Sequence, residues 1–126
     1  MTSRELLEEA GSQIISFVRD DALAQLDQLL AGTLRPAEYR SLSGRLASLS
    51  SGDLATLREV AVRMVDTTIH DFLWLLEGEA ALELARRLSN GSLVSLSQQS
   101  DGLAAELYSD NGWICKYSRY PTFTVP

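Results

Sequence analysis

Residues 53 to 77, DLATLREVAVRMVDTTIHDFLWLLE, form the longest uninterrupted helical pattern in the chain, and a rod of that length obliges the rest to pack around it. Leu54, Leu57, Ala61, Met64, Val65, Ile69, Phe72, Leu73 and Leu76 recur at three- and four-residue steps, the stripe of a helix facing a core. Ser50, three residues before the acidic Asp53, reads as the N-cap, and Gly78 reads as the left-handed stop. The first half is amphipathic through Arg58, Glu59, Arg63 and Asp66. From Phe72 to Leu76 the helix is apolar all round, which predicts burial on most sides, with Phe72 and Leu76 among the most buried residues.

Upstream, Thr2 and Glu5 make a capping box, and Leu7, Ala10, Ile14, Phe17 and Val18 keep helical spacing. Arg19, Asp20 and Asp21 interrupt the stripe before it resumes at Leu23, Leu26, Leu29 and Leu30. Either one long helix bends there or Asp20 caps a second helix, and the break is the favoured reading. Pro36 and Glu38 suit the first turn of a further helix carrying Tyr39, Leu42, Leu46 and Leu49. Its other face, with Ser41, Ser43, Ser48 and Gly44, is either solvated or open to close approach by another backbone.

After Gly78 the pattern changes. Residues 80 to 88 have helical composition but alternate at Leu82, Leu84, Arg86 and Leu88, and Asn90-Gly91 then gives a type I′ hairpin signal. Asn111-Gly112 repeats it, linking residues 103–109 to residues 113–118, in which Trp113, Cys115 and Tyr117 alternate. The expected fold is α+β: three or four N-terminal helices packed on a small C-terminal antiparallel meander of three or four strands. The alternative is an all-α bundle with a C-terminal hairpin. Residues 1–126 read as a single domain, with a helical part to 78, a β-rich part over 79–120 and a tail at 121–126.

Bulk properties narrow the function classes. A net charge of −6 opposes nucleic-acid binding, which needs a basic footprint. The longest apolar run, residues 72–76, is five residues, far from the roughly 20 that span a bilayer. With one cysteine and an N-terminus lacking a basic region followed by an apolar one, the expectation is a cytoplasmic protein. No cofactor or metal motif is present in the sequence.

Asp66 lies four residues before His70, the only histidine, and that spacing brings a carboxylate to an imidazole. An Asp-oriented His suggests hydrolase-like chemistry, with Glu106 or Cys115 brought in by the fold. The structural alternative is a half-buried His held by Asp66 and packed on Trp74. Cys115, in a strand-like run, reads more readily as a small buried hydrophobe than as a nucleophile.

The segment from Ser100 to Tyr120 mixes Tyr108, Trp113 and Tyr117 with Asp101, Glu106 and Asp110, the residue types of interface hot spots. The same aromatics would equally serve as the sheet's own core. The pattern S-D-G-L-x-x-E-L-Y-x-x-x-G-W-I-x-K-Y-S, with T-I-H-D-F-L-W-L-L in the central helix, resembles small acidic bacterial proteins, some of which serve as immunity proteins against toxins. That resemblance implies an interaction role and assigns no activity. The leading expectation is therefore an acidic module that masks a basic protein partner. An enzyme using His70 with Asp66, and a structural protein that dimerises through a helix face or sheet edge, are its rivals.

Overall fold

The computed structural model describes residues 1–77 and 81–120. The fold is α+β. Helices α1 (Ser3–Ile14), α2 (Asp20–Ala31), α3 (Ala37–Leu46) and α4 (Ser51–Leu75) precede a two-stranded antiparallel hairpin of β1 (Ala85–Arg87) and β2 (Leu93–Ser95). Short helices α5 (Leu96–Gln99) and α6 (Trp113–Tyr117) follow, with a 3-10 turn at Ala104–Glu106 between them. Helix α1 packs on α5 and α6, and α4 packs on the 3-10 turn.

The helix starts follow their caps. The Glu5 N–H donates to Thr2 Oγ1 at 3.1 Å and the Thr2 N–H to Glu5 Oε2 at 3.0 Å, while Asp53 N–H donates to Ser50 Oγ at 3.1 Å. The expected stop of the central helix at Gly78 lies outside the described residues. On α3, nothing lies within 4 Å of where a Gly44 Cβ would be, so no close backbone approach uses this glycine.

The favoured break at residues 19–21 is absent. Helix α1 continues through a π-helical segment, Ile15–Arg19, straight into α2, and Asp20 N–H donates to the carbonyl of Ile15, five residues back. Arg19 is 0% and Asp20 1% exposed, so the charges that looked like a surface interruption point into the molecule.

Of the two Asn-Gly pairs, the first forms a hairpin and the second does not. Ala85 pairs with Ser95, Arg86 with Val94 and Arg87 with Leu93. Around Asn90-Gly91, Gly91 N–H donates to Leu88 O at 2.9 Å and Leu88 N–H to Ser92 O at 2.8 Å. Within this turn only Gly91 has positive φ, at 87°, so the loop has three residues with Gly91 as the left-handed bulge residue, not a two-residue type I′ turn. The expected second hairpin is replaced by the 3-10 turn and α6. Leu103, Leu107, Trp113 and Ile114 are all buried while Cys115 is exposed, a helical pattern of burial and not an alternating one. Gly112 has φ −76°; its glycine is required because a Cβ there would collide with the carbonyls of Leu107 and Tyr108. The left-handed residue of that loop is Ser109, at φ 84°.

The core joins Leu6, Leu7, Ile15, Ile69, Leu73 and Leu96 to Leu103, Leu107, Trp113 and Ile114. Trp113 lies against Gly11 so closely that any side chain at Gly11 would strike the indole ring. The second half of α4 contributes less to this core than its composition predicts. Ile69 and Leu73 are buried, but Phe72 and Trp74 are each 61% exposed, and Leu76 is half-buried.

Candidate functional site

The expected pairing of Asp66 with His70 does not form. Asp66 is taken by Arg19, whose Nε donates to Oδ1 at 2.6 Å and Nη2 to Oδ2 at 3.3 Å. A fully buried guanidinium leaves an uncompensated charge unless a carboxylate meets it, so Arg19 has the stronger claim. Arg19 Nη1 also donates to Ser118 Oγ at 2.8 Å and to Tyr120 O at 3.3 Å. Asp20 accepts from Ser118 Oγ at 2.6 Å and from Arg119 N–H at 2.8 Å. This buried network ties the last described turn to the helix pair. His70 Nδ1 instead lies 3.0 Å from Asp71 Oδ1, and its ring centroid is 6.0 Å from that of Tyr108.

The other catalytic candidates do not join it. Glu106 is ion-paired with Arg4, and Cys115 is exposed on α6, not a buried hydrophobe. Among the described residues no group of three or more His, Cys, Asp or Glu side chains is placed to hold a metal ion.

The aromatic and acidic residues of the C-terminal segment have divergent fates. Trp113 is 1% exposed and belongs to the core. Tyr117 donates its hydroxyl to Glu8 Oε2 at 2.9 Å, and Lys116 ion-pairs with the same carboxylate. Burial pushes Glu8 upward, but the hydrogen bonds from Lys116 and Tyr117, with the charges of Lys116 and Arg4, outweigh it and hold the carboxyl below its ordinary range. The hydrogen bond to Glu8 raises Lys116, and burial followed by the Glu8 contact raises Tyr117. Tyr108 stays partly exposed, with its hydroxyl raised by burial and then by the charge of Asp66. Asp101 and Asp110 are exposed and take part in no ion pair among the described residues.

The larger apolar surface lies elsewhere. Ile14 and Val18 form one wall of a groove, Thr68, Ile69, Phe72, Leu73 and Leu76 form the other, and Leu84 closes one end around a volume of about 230 Å³. Among the described residues the groove offers a ligand no free polar group. Thr68 Oγ1 donates to Met64 O at 2.7 Å, Leu84 N–H donates to Ser97 Oγ at 2.8 Å, and Leu84 O accepts from the amides of Leu96 and Ser97 at 2.7 and 3.3 Å. Phe17 and Met64, each on a helix that forms a wall, are 76% and 62% exposed. No sequence motif marks this groove; its one signal was the all-round apolar character of residues 72–76.

Comparison with protein-family models, with characterised proteins and with solved structures finds no match.

Proposed function

We propose that this chain is a protein-interaction module, an acidic inhibitor or immunity-type protein of the reducing cytoplasm that covers a basic surface on its partner. The observation that carries this reading is the exposure of Phe72 and Val18 in the walls of a groove that, among the described residues, has no available hydrogen-bonding group. Exposed apolar surface of this kind, in a helix whose composition demands burial, marks an interface. A net charge of −6 favours a basic partner and speeds encounter with it. The exposed Asp101 and Asp110 add to the acidic surface, Tyr108 lies against His70 on the side of α4 away from the groove, and Trp113 serves the reading only by fixing the scaffold.

The test is cross-linking in cells that express the chain, comparing wild type with Phe72→Glu. The expected result is an adduct with a basic protein that the substitution abolishes while the helical circular-dichroism signal is unchanged. An adduct that survives Phe72→Glu, or a wild-type chain that forms none, refutes the reading.

A further inference from the structure

Resting on that reading, we propose that the groove between the π segment and α4 receives an amphipathic helix of a partner protein, with basic side chains at its Val18–Thr68 end. The volume of about 230 Å³ falls below the roughly 300 to 1,000 Å³ of small-molecule pockets and suits one or two apolar side chains. The polar chemistry then selects the backbone that carries those anchors. The groove's only hydroxyl, on Thr68, and both backbone groups of Leu84 are already hydrogen-bonded. An extended peptide laid here would bury amides with nothing to bond, whereas a helix satisfies its own backbone. The exposed Phe17 and Phe72 give such a helix a second row of contacts on either wall.

Charge sets the flank. Asp21 follows Val18 by three residues and stands one helical turn beyond the groove's Val18 end, whereas Asp71, between Thr68 and Phe72, lies on the outer side of the α4 wall; both are exposed. Asp21 has no ion-pair partner among the described residues, and Asp71 has only His70. The nearby cations lie at the opposite, Leu84 end, where Arg86 is ion-paired with Glu9 and Arg87 is exposed. A partner helix therefore gains by placing lysine or arginine at the Val18 end, beside Asp21.

The test is selection from a display library of random peptides about four helical turns long, on the wild-type chain, with counter-selection on Phe72→Glu. Surviving peptides are expected to carry apolar residues at i, i+4 and i+7 with lysine or arginine at one end. Their binding should weaken about tenfold or more on Val18→Glu, and several-fold on Asp21→Lys at low salt only. Peptides of alternating or proline-rich pattern, acidic flanks, or no clone that discriminates Phe72→Glu would overturn the proposal. Two further outcomes also overturn it by naming another occupant. Sedimentation as a dimer that Phe72→Glu dissociates assigns the groove to a second copy, and selection that succeeds only on a chain ending at Tyr120 assigns it to residues 121–126. A Phe72-dependent adduct in cells alongside a failed selection would leave the interaction reading standing and remove the helix.

Discussion

The segment from Ser100 to Tyr120 and the second half of α4 are both rich in aromatic and apolar residues, yet the fold treats them oppositely. In the first, Trp113 is sealed against Gly11, Tyr117 reaches Glu8, and Glu106 meets Arg4, so its largest aromatic and two further groups are engaged within the chain while Asp101, Tyr108 and Asp110 stay exposed. In the second, Phe72 and Trp74 sit in the open beside buried Ile69 and Leu73. Residue type alone does not distinguish a core from an interface. What separates them is whether partners inside the chain satisfy the side chains, and that depends on contacts more than a hundred residues apart, such as Lys116 with Glu8.

The comparison can be broken most forcefully at its buried end. Trp113→Ala is expected to cost about 3 to 5 kcal/mol and leave the chain poorly folded, because no other residue can fill the indole's place. Urea denaturation checks it; a midpoint near wild type would mean that Trp113 is not core. Arg19→Ala, which leaves Asp66 without its cation and Asp20 with only its Ser118 and Arg119 contacts, is expected to cost a similar 3 to 5 kcal/mol by the same measurement. Gly112→Ala should cost about 1 to 3 kcal/mol through its collision with the Leu107 and Tyr108 carbonyls. A stabilised Gly112→Ala would contradict the tight approach.

A fourth expectation uses pH. Glu8 is held below its ordinary value of 4.5, so its ionised form stabilises the fold above that value, and the contribution disappears as pH falls through the lowered one. Glu8→Gln should therefore flatten the acid limb of stability, and an unchanged limb would show that the Lys116 and Tyr117 contacts do not persist in solution. The smallest effect sharpens the other end. Phe72→Ala, at a site 61% exposed, should change stability by about 1 kcal/mol or less while weakening whatever the groove holds. A large loss would return Phe72 to the core.

Features fixed by neighbours in sequence were legible without coordinates. The Thr2 and Ser50 caps and the Asn90-Gly91 hairpin depend on residues a few positions apart. What escaped depends on distant partners. Asp66 looked committed to His70 because i,i+4 spacing is visible, whereas Arg19, forty-seven residues earlier, is not. The run Arg19-Asp20-Asp21 looked like a solvated stop because buried charges are rare, and no local pattern says that Ser118 waits for them. Asn111-Gly112 carried a strong turn signal, but the glycine serves a steric approach and not a left-handed backbone. Of the candidate site, only the apolar run in α4 could be read in advance. That its outer face stays open emerged only once the rest of the chain was in place.

The π segment at Ile15–Arg19 acts as a phase adjuster in the longest rod of the fold. Leu7, Gly11, Ile15, Arg19 and Leu23 are all buried at uniform four-residue steps, a spacing that drifts off one face of an ordinary 3.6-residue helix. The wide turn absorbs that drift midway and keeps both ends aimed at the same interior. Adding or removing a residue in the regular turns on either side, where no wide turn takes it up, would swing every later side chain by about 100°, turning Leu23 away from the interior. Within the wide turn itself, buried Ile15 and Arg19 are fixed by their contacts, and only the exposed Ser16, Phe17 and Val18 can change without cost to the fold.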